Sequence, residues 1–161
     1  MPAHPTALRF RRLLLTGAAG GLGRELRPRL KAYCDTLRVS DISPLGTAAG
    51  GEELQVVALQ DPSAVHALLQ DVDAVVHLGG VSVEGPFEPI LQANIVGMHH
   101  LYEAARKHGV KRIVFASSNH VTGFYRQDEV ITPKAVPKPD GFYGLSKAFG
   151  EDLAQLYWDR W

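Results

Sequence analysis

The chain has one cysteine, Cys34, so no disulfide can form within it. Seventeen basic side chains balance seventeen acidic ones, so the sequence lacks the cationic excess of a nucleic-acid or anionic-membrane binder. Neither nucleic acid nor membrane is expected as a partner. No apolar run approaches the roughly 20 residues that cross a bilayer. The stretch Met1–Phe10 has no apolar signal core. Together with the cysteine usage, this reads as a cytoplasmic chain. No His, Cys or Asp cluster has metal-ligand spacing, and the adjacent His99 and His100 fall on different helix faces, so no metal is expected. What remains is an ordinary globular composition, 45% hydrophobic and 21% charged, over 161 residues: enough for one domain with a sizeable core.

Residues 1–10 are expected to form a disordered tail, and 11–161 a single domain. After the tail, short apolar runs alternate with helical patterns. Strands are expected at Arg12–Thr16, Leu37–Ile42, Leu54–Leu59, Ala74–Leu78 and Arg112–Ser117. Helices are expected at Leu22–Tyr33, Pro62–Gln70, Pro89–His108 and Phe142–Trp158. Pro28 must kink the first helix or sit near its first turn, and Asp61 is placed to cap the second. In the long helix, Leu91, Ile95, Met98, Tyr102 and Ala105 form one stripe. The proline-rich segment Gln127–Gly141 reads as loop. Near-continuous apolar strands alternating with helices imply a parallel sheet buried on both faces, a doubly wound α/β fold. Ligands of such sheets bind beyond the carboxyl ends of the strands.

The first strand runs directly into Gly17-Ala18-Ala19-Gly20-Gly21-Leu22-Gly23, a G-x-x-G-x-x-G pattern. Glycines here let the backbone approach a pyrophosphate, and the helix that follows aims its free N–H groups and positive dipole end at it. A lone glycine motif says little, but one that follows a strand, opens a helix and begins a βαβ unit has the context a dinucleotide site requires. The second strand ends in Asp41, 18 residues beyond Gly23. An acidic side chain there accepts hydrogen bonds from adenosine ribose hydroxyls and repels a 2′-phosphate, which points to NAD rather than NADP.

Tyr143-Gly144-Leu145-Ser146-Lys147 gives Y-x-x-x-K at the start of the last helix. Residues four apart share a helix face, so phenol and ammonium address one ligand. An ammonium beside a phenol favours the ionised form and makes it a usable acid or base. Leu145, Phe149, Leu153 and Leu156 form a separate apolar stripe, expected to anchor the helix. The fifth strand ends in Ser117-Ser118-Asn119-His120, at an edge where ligands bind; Ser118 is placed to hydrogen-bond a reacting oxygen.

Taken together, TGAAGGLG after the first strand, HLGG (His77–Gly80), Asn94, SSNH and YGLSK resemble an extended short-chain dehydrogenase/reductase. More narrowly, HLGGVSVEGPFEPILQANI, VFASSNHVTGFY and PDGFYGLSKAFGEDLA resemble the NAD-dependent uronate dehydrogenases. The resemblance covers the whole chain after the tail. It implies a Rossmann-like doubly wound sheet whose carboxyl-terminal strands and substrate region are missing after Trp161. It implies Ser118, Tyr143 and Lys147 as the catalytic set. Gly17, Gly20, Gly21, Leu22, Gly23, Asp41, Leu59, Leu78, Gly79, Gly80, Tyr143 and Lys147 would hold the dinucleotide. Ser82, Ser118, Asn119, His120 and Tyr143 would contact the sugar acid. The reaction implied is NAD-dependent oxidation of a uronic acid at C1 to an aldarolactone. A homo-oligomer pairing through the long and last helices is also implied.

Two other readings stay open: a nucleotide-binding fragment without turnover, and another extended family member such as a sugar-nucleotide epimerase. Epimerases share Tyr-x-x-x-Lys, so that pair does not discriminate; Ser82, Asn119 and His120 favour the dehydrogenase. A site selective for a uronate carboxylate calls for a positioned arginine. Arg126 follows the fifth strand, but its loop is expected to lead away from the pocket.

Overall fold

The computed structural model describes residues 9–161. Five parallel strands, β1 (Phe10–Thr16), β2 (Cys34–Asp41), β3 (Glu52–Val56), β4 (Ala74–His77) and β5 (Ile113–Phe115), form one sheet in the order β3-β2-β1-β4-β5. The helices are α1 (Gly21–Leu30), α2 (Pro62–Leu68), α3 (Phe87–Ile90), α4 (Gly97–His108) and α5 (Phe142–Arg160). Most of the expected tail lies outside the described residues, but Phe10 already belongs to β1: it aligns with Cys34 and packs against the core.

The sheet is covered on both faces, and β1 shows why. Leu13 and Leu15 point into a cluster with Cys34, Leu37, Val39 and Ala74, while Leu14, between them, points into the opposite cluster with Val65, Leu68, Met98, Leu101 and Leu153. All three leucines are buried, and each such burial stabilises the fold by about 2 kcal/mol. The edge strands depart from the expectation of burial on both faces. Val56 at the end of β3 and Val114 in β5 are each 65% exposed. Each of these strands pairs on one side only, so nothing covers its outer backbone and side chains.

Pro28 lies neither at the first turn nor midway. It sits in the last turn of α1, which ends at Leu30 and passes into a 3₁₀ turn, Lys31–Tyr33. Asp61 caps α2, accepting from the N–H groups of Ser63 and Ala64. At the far end of α4, Gly109 adopts φ +71° and turns its N–H back onto the helix, the left-handed ending that glycine permits. The long helix expected over Pro89–His108 is interrupted: Leu91–Val96 forms a π-helical turn between α3 and α4. No helix among the described residues is long and apolar enough to cross a membrane.

Only half of the stripe expected to anchor α5 does so: Leu153 is buried in the core and Phe149 packs against it, but the two ends of the stripe face outward. Leu145 and Leu156 are each 46% exposed, whereas Gly144, Ser146, Lys147, Ala148, Gly150 and Leu153 are buried. The helix lies too close to its neighbours for large side chains. A carbon on Gly150 would come within 2.6 Å of the Phe115 ring and 3.1 Å of Met98.

One buried charge ties the sheet to α2. Arg38 on β2 donates to Glu53 on the neighbouring β3 (2.7 Å) and to the carbonyls of Leu68 (2.8 Å) and Gln70 (2.9 Å). Removing it strands two carbonyls and one side of the carboxylate. Arg38→Met is expected to lower unfolding free energy by about 2–3 kcal/mol, seen as a lower urea midpoint at unchanged slope. An unchanged midpoint would show that the guanidinium is not holding the α2 terminus.

Candidate active site

The strand order reverses between β2 and β4, on either side of β1, and the cleft opens there, beyond the carboxyl ends of the strands. Its volume is about 830 Å³, within the range of small-molecule and cofactor sites. One wall is the turn from β1 into α1. Gly17 has φ +68°, and a side-chain carbon on it would come within 2.7 Å of the Leu78 carbonyl carbon and 2.8 Å of the Gly79 nitrogen. A side chain at Gly23 would overlap the backbone of Gly17 and Ala18. At Gly21 nothing lies within 4 Å of such a carbon, so the turn is tight underneath and open towards the cleft. These residues fit a pyrophosphate: no side chain shields the backbone, and α1 starts there with Gly20 supplying no side-chain cap.

Asp41 closes the far side of this turn. Its carboxylate accepts from the N–H groups of Ala19 (2.9 Å) and Ser43 (3.0 Å), which fixes it at the end of β2. Leu59, Leu78, Gly79 and Gly80 line the cleft with it. The Gly79–Gly80 turn is held from below by groups that motif reading missed. Thr16 Oγ1 accepts from the Gly79 N–H (3.1 Å) and is hydrogen-bonded to His77 Nδ1 (2.7 Å). His77 is fully buried; desolvation, with the Lys147 charge adding to it, lowers its pKa to about 3. It is neutral there at any ordinary pH.

Asn94, buried in the π-helical turn, holds the next stretch. Its amide oxygen accepts from Val81 N–H (2.8 Å), and its nitrogen donates to Val81 O (3.0 Å) and Ser146 Oγ (2.9 Å). A π turn widens the helix by one residue, a change that hydrophobic spacing does not announce.

From α5, Tyr143 and Lys147 enter the same cleft. Lys147 Nζ donates to the carbonyl of Ala116 (2.8 Å), lies 5.5 Å from the Tyr143 ring centre and is buried, which lowers its pKa. Ser82 lines the cleft as well. Ser118, Asn119 and His120 do not; they form the turn after β5, where Ser118 Oγ accepts from His120 N–H (3.2 Å). That turn packs against the start of α5: the His120 ring stands edge-on to the Tyr143 ring at 5.6 Å. Asp140 faces His120 Nδ1, both carboxylate oxygens at 2.9 Å. Arg126 pairs with Asp128 on the exposed loop, as expected of a side chain leading away. Among the described residues, Arg24 is the arginine that lines the cleft, at the glycine end.

A doubly wound parallel sheet with a glycine turn at its switch point, an acidic side chain closing the next strand and a Tyr-x-x-x-Lys helix defines a dinucleotide-fold domain of the short-chain dehydrogenase class. The family model described as "NAD dependent epimerase/dehydratase family" matches residues 13–161, and the chain belongs to that family. It is 61% identical over 157 residues to a uronate dehydrogenase of Pseudomonas putida, covering 97% of this chain and 59% of that protein. To a uronate dehydrogenase of Agrobacterium fabrum it is 54% identical, covering 94% and 57%. The crystal structure of a mutant uronate dehydrogenase from Agrobacterium tumefaciens, complexed with NAD, superposes with a TM-score of 0.93 at 53% identity, over 94% of this chain and 57% of that one. The chain thus spans under three fifths of the length of these relatives.

Proposed function

We propose that this chain is the dinucleotide-binding part of an NAD-dependent uronate dehydrogenase, which oxidises a cyclic uronic acid at C1 to an aldarolactone. The observation that carries the reading is convergence. Tyr143 and Lys147 from α5 line the same cleft as the glycine turn and Asp41, in a chain 61% identical to a protein of that name. The residues proposed to hold NAD are Gly17, Gly20, Gly21, Leu22, Gly23, Asp41, Leu59, Leu78, Gly79, Gly80, Tyr143 and Lys147. When bound, NAD supplies the acceptor for the hydride leaving C1. Tyr143 takes the proton of the C1 hydroxyl as its phenolate. Lys147, held on the Ala116 carbonyl, favours that ionised phenol. Ser118 hydrogen-bonds the reacting oxygen, and Ser82, Asn119 and His120 orient the sugar acid. The Asp140 carboxylate keeps the His120 ring in one tautomer. A cytoplasmic location fits the single buried cysteine.

Self-association belongs to the same proposal. Leu145, Leu156 and Trp158 on α5 are 46%, 46% and 79% exposed, apolar surface that a monomer leaves wet. Tyr157 is different: it packs on Tyr102.

NAD is expected to bind more tightly than NADP, because the Asp41 carboxylate would meet a 2′-phosphate. Titration calorimetry with both nucleotides checks it, and Asp41→Ala should shrink the difference. Tighter binding of NADP to the unaltered chain would remove the argument. Tyr143→Phe deletes the proton acceptor and leaves the helix intact. Single-turnover NADH formation from galacturonate or glucuronate should then fall by at least about 10²-fold. Near-normal chemistry in that variant would move the base to another group, His120 first. Light scattering at high protein concentration should give a mass above that of one chain; a strict monomer would count against pairing through α4 and α5.

A further inference from the structure

The segment after β4 has no regular structure between His77 and α3, yet it is pinned at two points. Asn94 holds Val81 by both its N–H and its carbonyl. The second pin is Glu84, whose two oxygens each accept one backbone N–H from α5: Oε1 from Phe142 at 3.1 Å and Oε2 from Tyr143 at 2.9 Å. Phe142 and Tyr143 open the helix, and the first four N–H groups of any helix have no partner inside it. The preceding residue, Gly141, supplies no side-chain cap. A side chain at 141 would overlap the Glu84 carboxylate. Glycine there makes room for a cap delivered from 58 and 59 positions away in sequence. A carboxylate suits the positive end of the helix dipole, and its bonds to N–H are charge-assisted.

Ser82 lies between the two pins. We propose that Glu84 is a positioning residue, which locks the Ser82 loop to the first turn of the Tyr143 helix so that the two move as one unit. The proposal rests on the assignment of Ser82 to the sugar acid and Tyr143 to the proton. A carboxylate that merely capped α5 would have little to add, since the helix is already fastened by Lys147 on Ala116 and by Ser146 on Asn94. The distinguishing consequence lies in the loop. Loss of a cap loosens Phe142 and Tyr143 alone; loss of the lock loosens Ser82 and Val83 with them.

The test is ¹⁵N relaxation on this chain, unaltered and as Glu84→Gln, Glu84→Ala and Glu88→Ala. Among the described residues the Glu88 side chain bonds to Gln92 on its own stretch of helix, and it serves as the control. In the unaltered chain the amides of residues 82, 83, 142 and 143 should have order parameters near the rigid value of about 0.85. In Glu84→Ala both pairs should fall together, the loop below about 0.6. Glu84→Gln keeps one acceptor oxygen and should fall less; Glu88→Ala should change neither pair. Single-turnover NADH formation should slow about tenfold in Glu84→Ala, in kcat more than in KM, as misalignment of reacting groups does. A fall confined to 142 and 143, or no fall at all, would overturn the lock. A chain of the relatives' full length that oxidised no uronate would overturn the functional reading instead, and the relaxation result would still decide the lock.

Discussion

The site depends on one backbone contact, between the turn leaving β1 and the turn leaving β4. Gly17 lies so close to Leu78 and Gly79 that a single carbon would separate them. Parallel neighbours bring their carboxyl ends to the same level, but side chains normally hold the following turns apart. Here they close: the Thr16 hydroxyl bridges to Gly79 and to His77, and Gly80 takes φ +134°, leaving room for Asn94. With β2 leaving on the other side of β1, the crevice opens directly above this contact. Both glycine turns thus line one cleft, and α5 needs only to deliver Tyr143 and Lys147 to the same space.

Charge in the cleft follows from the same closeness. His77 and Lys147 are both buried, and both stack against Phe115. Two cations there would repel each other in a poorly solvated place. The conflict is resolved in favour of Lys147: burial and the neighbouring ammonium hold His77 neutral, and the neutral ring hydrogen-bonds to the Thr16 hydroxyl. Lys147 sets its ammonium on the Ala116 carbonyl, at the edge of the cleft it lines. The glycine turn is therefore held rigid by a neutral network, and the ammonium is left to the phenol beside it.

Features that repeat along the chain were legible in the sequence; features that cross it were not. Alternating apolar runs gave the strand positions and the parallel sheet, and G-x-x-G-x-x-G, Asp41, Asp61 and Tyr-x-x-x-Lys each announced themselves by spacing. On α5, Leu153 is buried as the stripe implied, but Leu145 and Leu156 misled, because near them burial goes to small residues, Gly144, Ala148 and Gly150, where the helix presses against its neighbours. The π turn at Leu91–Val96 leaves the apolar period almost intact while turning Asn94 inward. Sequence reading singled out neither Glu84 nor Asp140. Their partners lie 58 and 20 positions away, and nothing local marks them.

The distribution of arginines separates the two ends of the cleft. Arg12 and Arg38 share Glu53, Arg27 pairs with Glu52, Arg106 with Glu103 and Arg126 with Asp128. Arg24 lines the cleft, but beside the glycine turn, where phosphates would lie. At the other end, around Tyr143, the described residues offer hydroxyls, an amide, a histidine already facing Asp140 and one ammonium, Lys147, already placed on the Ala116 carbonyl beside the phenol. Neutral donors can orient a sugar ring, but they discriminate weakly between a uronate and its neutral counterpart, because only a fixed cation gains from the extra charge. In the proposed reaction, then, these residues account for the dinucleotide and for the chemistry at C1. Selectivity for the carboxylate, which lies across the ring oxygen from C1, calls for a positive group beyond them. The relatives, of which this chain spans 57–59%, have the length to supply one.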